Sequence, residues 1–407
     1  MTYIEFFDRN HIDNVCSALI SPPERIVFVS RYKEKTIEKH IERYRELFKG
    51  RGVEIEFEAV SASPYNISAV IDALTEIVGK YPECVIDLTG GGEVFIVAAA
   101  TVCERYREKN IQMHRYNVVS GMMVDCDADG KTILADRQPE ISVEESIRLY
   151  GGSVIFENES NTGATHVWDD SVVDDPDVTT MWHICKTDPA AWNTAVSIIE
   201  LGKNGAGNRT VIDDRTLERE SSKNEAKFGA GALVLEELSV RGLIDIKRSG
   251  SGSEIVFKND TVARCLAKAG NMLELYVYIL AKKAEKNGKK VYTDVLTGVT
   301  IDNDGVVEGG VEVRNEVDVV MQRCLRPVFV SCKNGLATTD ELYKLNTVAK
   351  KFGGKYSRAA IVLGQQQNKQ ALESLKKRAD SMEIRVIEVY KLSEKKLAEK
   401  IANLGAG

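Results

Sequence analysis

The sequence predicts an α/β protein of more than one domain, on three observations. Apolar strand-like runs alternate with amphipathic helical runs through the first third of the chain. A second, differently ordered set of strands and helices fills the last third, after a less regular middle. At 407 residues, 43% hydrophobic and 28% charged, the chain has the length and composition of two or three globular domains. The pattern divides it into residues 1–140, 141–260 and 261–407.

In the first segment TYIEFFD, RIVFVS, EIEFEAV, CVIDLT and IQMHRYNV read as strands. HIDNVCSALI, KTIEKHIERYRELFKGRG, NISAVIDALTEIVGKY and EVFIVAAATVCERYREK read as helices, and MMVDCDADGKTIL as a hairpin. Strands with few polar interruptions, separated by amphipathic helices, predict a parallel sheet covered on both faces, a Rossmann-like arrangement. Ligands of such sheets bind beyond the carboxyl ends of the strands, where loops and helix N-termini expose N–H groups. Function is therefore expected in FFDRNH, VSRYKE, VSASPYN and DLTGGGEV. The last is the sharpest, because three glycines between strand and helix let a phosphate or ribose approach the backbone closely. It matches neither GxGxxG with a downstream acid nor GxxxxGK(S/T), which argues against a dehydrogenase or a P-loop ATPase.

DLTGGGEV closes the fourth strand and resembles the D-x-T-G-G-T-K signature of CARF domains, sensors of the cyclic oligoadenylates made by type III CRISPR systems. The resemblance implies a ligand pocket at a dimer two-fold axis, lined by Thr89, Gly90, Gly91, Gly92 and Glu93, with Asn10 and His11 after the first strand. Glu93 stands where the family has lysine, and Arg31 and Lys33 after the second strand are the candidates to supply positive charge.

In the middle segment HVWDDSVVDDPDV reads as an acidic, proline-interrupted loop without EF-hand spacing. FGAGALVLEELSVRG reads as a helix, and LIDIKRSG with EIVFKND as a hairpin with a basic tip, the outline of a winged-helix module. TLERESSKNEA shows no clear helix to pair with it.

The third segment opens with one long apolar helix, VARCLAKAGNMLELYVYILAKKAEK, followed by the strands VYTDVLTGVTI, VEVRNEVDVVMQR and RPVFVSCKN. Helix TTDELYKLNTVAKKF, strand YSRAAIVLG, a further helix and IRVIEVYKL complete an α/β pattern. Alternation places Glu316 and Asp318 on one strand face and Val317 and Val319 on the other; Ser331 and Lys333 lie together, opposite Val330 and Cys332. Hairpin pairing can bring the two polar pairs side by side. A carboxylate beside a lysine at a strand end suits phosphodiester hydrolysis with Mg²⁺ or Mn²⁺: the carboxylate holds the cation and the lysine stabilises developing charge.

These residues resemble the PD-(D/E)xK nuclease core. The resemblance implies Glu274 as the helix glutamate, Asp318 as the second-strand aspartate and Lys333 as the lysine. Ser331 occupies the position of the expected acid, with Glu341 on the next helix, or Glu316, as the replacement. The implied metal ligands are Glu274, Asp318 and Glu341. The whole chain resembles the CRISPR-ancillary, cyclic-oligoadenylate-activated nucleases, which implies a homodimer switched by cyclic tetra-adenylate and cutting DNA or RNA. The alternative is a ligand-responsive nucleic-acid-binding regulator whose nuclease-like domain is inactive, for which Ser331 is the best support. A nucleotide-cofactor enzyme built on the glycine turn lacks a second catalytic cluster.

The net charge of −7 alone argues against a nucleic-acid partner, but it is unevenly spread. Residues 261–407 hold 25 Lys/Arg against 17 Asp/Glu, and residues 1–260 hold 29 against 44, a basic working domain on an acidic carrier. Eight cysteines without a CxxC pair favour reduced core thiols over a zinc site or disulfides, and five scattered histidines form no ligand pattern. No apolar run reaches the roughly 18–20 residues of a membrane span, and MTYIEFFDRN has no signal-peptide pattern, so a cytoplasmic protein is expected.

Overall fold

The computed structural model describes residues 1–407 except 64, 110, 126–131, 135–137, 205–207, 251, 305–313 and 406–407. Pro64, Cys126 and positions 311–313 of a predicted strand lie outside the described residues.

Seven strands form the first sheet among the described residues: β1 (Thr2–Phe6), β2 (Arg25–Ser30), β3 (Glu56–Ser61), β4 (Cys84–Asp87), β5 (Gln112–Asn117), β6 (Met122–Asp125) and β7 (Thr132–Leu134). Their order is β3-β2-β1-β4-β5-β6-β7; the first five run parallel and the last two add an antiparallel hairpin. Helices α1 (Cys16–Ile20), α2 (Glu34–Gly50), α3 (Ile67–Lys80) and α4 (Glu93–Arg105) cover it. Ile37, Ile41 and Phe48 of α2 pack on Ile26 and Phe28, while Val70, Leu74 and Phe95 of α3 and α4 pack on Val27 and Val29. The central strands β1, β2 and β4 are buried on both faces, as their uninterrupted apolar runs predict, while β3 and β5 toward the edges are partly exposed.

Next come α5 (Val143–Leu149), β8 (Ser153–Ile155), α6 (Pro176–Thr187), α7 (Pro189–Glu200), β9 (Lys203–Asn204), β10 (Arg209–Asp213), α8 (Asp214–Lys223), α9 (Glu225–Val240), β11 (Ile244–Ser249) and β12 (Gly252–Phe257). The order α7, β10, α8, α9, β11, β12, with sheet order β11-β12-β10-β9, is that of a winged helix. Two segments differ from expectation. TLERESSKNEA does hold a helix, α8, which buries no residue and is fixed by its caps, Asp213 accepting from the Thr216 N–H and Asn224 starting α9. HVWDDSVVDDPDV is not simply a loop: Asp169 caps a short 3₁₀ turn and Asp175 caps α6, with Pro176 in its first turn.

The last segment contains α10 (Asp260–Cys265), α11 (Asn271–Lys283), the small hairpin β13 (Glu285–Lys286) and β14 (Lys289–Lys290), β15 (Asp294–Asp302), β16 (Arg314–Arg323), β17 (Arg326–Lys333), α12 (Thr339–Gly353), β18 (Arg358–Leu363), α13 (Lys369–Ser381), β19 (Ile384–Glu388) and α14 (Glu394–Ala402). The long helix expected from residue 261 is two, α10 and α11; the break at Gly270 is tied by Asn271 Nδ2 donating to the Arg264 carbonyl. The sheet order is β19-β18-β17-β16-β15-β8. It is an antiparallel meander through β15, β16 and β17, continued in parallel by β18 and β19. β8 pairs on the outer edge of β15, so this sheet also draws on residues before 261.

One face of that sheet packs on α11 through Val319, Met321, Val328, Val330 and Cys332; the other packs on α12 through Val317, Val320 and Phe329. Val317 and Val319 therefore lie on opposite faces, against the simple alternation expected. The reason is Gly298 on β15, which sits opposite Asp318 with a φ of 55°. A left-handed residue in mid-strand interrupts the pleat, and the side-chain alternation of both strands slips at that point. The described cysteines form no disulfide, and no helix among the described residues is long and apolar enough to cross a membrane.

Candidate active site

β16 and β17 pair from Arg323↔Arg326 to Val319↔Val330 and then part. Asp318 and Ser331 are the first residues beyond the ladder. The Asp318 carboxylate fills the lost rung: its Oδ2 accepts from the Cys332 backbone N–H at 2.6 Å and from Ser331 Oγ at 3.1 Å. Lys333 Nζ lies 3.7 Å from Asp318 Oδ2 and 3.7 Å from Glu341 Oε1. Glu341 sits in the first turn of α12, where its Oε2 also accepts from the Thr338 backbone N–H at 3.4 Å. Burial disfavours the Lys333 ammonium, but the Asp318 and Glu341 carboxylates outweigh it and hold the group above its ordinary value.

Glu274 enters from the first turn of α11, half-buried between Leu273 and Leu275 of the apolar core. Its pKa is pushed up to about 8, first by desolvation, then by the Asp318 and Glu316 carboxylates. Asp318 and Glu316 thus act on Glu274, Ser331 and Lys333 contact Asp318, and Glu341 joins through Lys333.

Among the described residues no three Asp, Glu, His or Cys side chains are close enough together to hold a metal ion. The donor set nevertheless fits a hard divalent cation chemically. Its members are carboxylates, and hard oxygen donors of this kind suit Mg²⁺ or Mn²⁺. Lys333 lies between Asp318 and Glu341.

The expected ligand residues divide into two groups. The glycine turn follows β4 beside the end of β1. Asp87 Oδ1 accepts from the Thr89 N–H at 2.7 Å, and Thr89 Oγ1 accepts from the Tyr116 N–H at 2.8 Å, so this threonine anchors the turn. A methyl group on Gly90 would meet the Phe6 carbonyl oxygen at 2.5 Å, and one on Gly91, whose φ is 83°, would meet Phe6 Cβ at 2.6 Å. Gly92 has open space around its Cα, and Glu93 begins α4 exposed. Two glycines thus serve packing and the third leaves backbone accessible. Exposed Arg31, after β2, lies over the Tyr32 ring, which Arg9 also covers.

Asn10 and His11 face elsewhere. Asn10 Oδ1 accepts from the Tyr150 hydroxyl at 2.8 Å and from the Lys355 backbone N–H at 3.1 Å. Buried His11 lies 2.6 Å from the Tyr44 hydroxyl and is stacked on His40; desolvation and nearby positive charge lower its pKa to about 3, so it is neutral. Both line a cleft of about 960 Å³ between the first domain and the end of α12, together with Arg9, Lys350, Lys355 and Arg358. Lys355 and Tyr356 there both bond buried Asp13.

Sequence reasoning missed one buried side chain at the site. Asn334 directly follows Lys333, and its Nδ2 donates to Asn193 Oδ1 on α7 at 2.9 Å, while Asn193 Nδ2 returns a bond to the Asn334 carbonyl at 2.7 Å. Its only signal was a polar residue ending an apolar strand.

No curated protein matches the chain. Two solved structures share its fold over its whole length. The protein VC1899 from Vibrio cholerae superposes with a TM-score of 0.73 at 16% identity, covering 100% of this chain and 99% of that one. Can2 from Sulfobacillus thermosulfidooxidans, solved with cyclic tetra-adenylate, superposes with a TM-score of 0.67 at 16% identity, covering 100% and 97%. Residues 260–403, which contain Glu274, Asp318, Ser331, Lys333 and Glu341, match the family model described as Card1-like, endonuclease domain, and the chain carries an endonuclease domain of that kind at its C-terminal end.

Proposed function

We propose that the protein is a homodimeric, cyclic-oligoadenylate-activated, metal-dependent endonuclease of type III CRISPR defence, acting on DNA or RNA in the cytoplasm. Residues 1–140 form the sensing unit, 141–260 the connecting module and 261–407 the nuclease. The observation that carries this is the Lys333 ammonium held between Asp318 and Glu341 where β16 and β17 part, with Glu274 facing Asp318. A Mg²⁺ or Mn²⁺ ion bound by Glu274, Asp318 and Glu341 would polarise a phosphate oxygen and lower the pKa of an attacking water. Ser331 and the Cys332 N–H orient the Asp318 carboxylate. Lys333 would stabilise negative charge developing on the phosphate.

Can2 is solved with cyclic tetra-adenylate, and the same ligand class is proposed here for the glycine turn with its open Gly92. Arg31 and Arg9, over Tyr32, offer positive charge and an aromatic face at the same edge. The regulator alternative is disfavoured by α9, the helix that would read a groove: its outward face carries exposed Leu233, Glu236, Glu237 and Val240, which a phosphate backbone would repel or leave unpartnered. The test is cleavage of supercoiled plasmid and single-stranded RNA with Mn²⁺ by the wild type and by Asp318→Asn and Lys333→Ala. Cutting lost in both variants supports the assignment; cutting retained by both refutes it.

A further inference from the structure

The connecting module has a winged-helix order and a helix face unsuited to nucleic acid, which leaves its role open. Its inner surface is more informative. α6, α7 and α9 share one continuous core with α11, β16 and β17, so the module is built onto the nuclease and not merely strung beside it. Trp182 of α6 stacks on Tyr276 of α11 at 3.9 Å between ring centroids, two residues beyond Glu274. At the other end of the contact Asn334, 5% exposed, closes a polar node inside this apolar core.

Three elements meet at that node. The Asn334 amide reaches Asn193 Oδ1 of α7 at 2.9 Å, Cys185 Sγ of α6 at 3.4 Å and the Ala269 carbonyl, just before α11, at 3.5 Å. Asn193 bonds back to the Asn334 carbonyl at 2.7 Å. Gly364, which follows β18, packs against Asn334 Oδ1 and donates its N–H to the Lys333 carbonyl at 2.9 Å. The residue after Lys333 is therefore fixed on its backbone and its side chain, and the same amide touches the segment that starts the Glu274 helix. A reciprocal pair of neutral amides, buried at Asn334 and half-buried at Asn193, is short-ranged and directional, so it defines where the strand ends more strictly than apolar packing does.

We propose that Asn193 and Asn334 are positioning residues for the nuclease, through which the winged-helix module sets the placement of Lys333 relative to Glu274. This rests on the nuclease assignment of the Lys333 site. It gives the module a function: it clamps the open end of β17 against α11, so a movement of α7 would move the lysine.

The experiment compares full-length wild type with Asn193→Ala, Asn193→Asp and, as a control, Val196→Ala, which removes buried bulk from the same helix and leaves the Asn193–Asn334 hydrogen bonds in place. With Mn²⁺, cyclic tetra-adenylate and plasmid, Asn193→Ala is expected to lower kcat at least tenfold while KM changes less than twofold. Asn193→Asp keeps the acceptor for the Asn334 amide but loses the donor, and should fall between. Val196→Ala should keep kcat within twofold even if its Tm falls as far. Equal kcat losses in Asn193→Ala and Val196→Ala, or none in Asn193→Ala, would overturn the proposal. If the wild type does not cut, the nuclease assignment fails, and amide exchange at Asn334 and Gly335 decides the clamp alone. Exchange at least tenfold faster in Asn193→Ala than in Val196→Ala supports it, and equal exchange refutes it.

Discussion

Replacing Glu274 by glutamine tests the electrostatics of the site without removing its shape. In the folded protein the carboxyl is raised from 4.5 to about 8, by desolvation and by the Asp318 and Glu316 charges. A carboxyl raised on folding contributes stability that is fully present below its unfolded pKa and is lost as pH rises through its folded pKa. Between pH 5 and pH 8, without divalent cation, that loss is at most about 3.5 kcal/mol, from about 1.36 kcal/mol per pKa unit. The glutamine variant lacks this titration. The difference in unfolding free energy between variant and wild type, measured by urea titration in chelator at several pH values, should therefore rise with pH in favour of the variant. Adding Mn²⁺ should reverse the order at pH 8, because only the carboxylate binds the cation strongly. A wild-type-minus-variant difference that stays flat from pH 5 to pH 8 would refute the account of Glu274 as a crowded, cation-seeking acid.

Three further outcomes are expected. Ser331→Asp places a carboxylate where a hydroxyl lies 3.1 Å from Asp318 Oδ2, so it should cost about 1–3 kcal/mol in chelator and regain it with Mn²⁺ in thermal melts. Gly91→Ala, forced to a φ of 83° against Phe6, should lose about 2–4 kcal/mol, whereas Gly92→Ala should stay within about 1 kcal/mol of wild type yet weaken cyclic tetra-adenylate binding in calorimetry. Substrate binding by the basic C-terminal segment should fall steeply with salt and depend little on sequence, measured by fluorescence anisotropy between about 50 and 200 mM salt.

Much of this architecture was legible because burial on both faces leaves long apolar strands, and amphipathic helices between them leave a 3.6-residue pattern. The β16–β17 hairpin stood out for the same reason: Asp318 and Lys333 are charges in strands whose neighbours Val319, Val320, Val330 and Cys332 are buried. What escaped depends on contacts between distant segments. Gly298 shifts the face of Val317 because of a backbone angle that sequence alternation cannot encode. α8 buries nothing and is defined by caps, so hydrophobic periodicity is silent there. β8 joins a sheet whose other strands begin some 140 residues later, and Asn193 meets Asn334 across 141 positions. Asn10 and His11, read as ligand residues after β1, have surroundings set by Tyr44, Tyr150 and Lys355, which are distant in sequence.

The most direct test of the central claim is plasmid and RNA cleavage by the full-length protein with Mn²⁺, with and without cyclic tetra-adenylate. Little cutting is expected without the ring, strong cutting with it, and none at any ring concentration in Lys333→Ala. Equal cutting with and without the ring, or ring binding with no cutting of either nucleic acid, would contradict it.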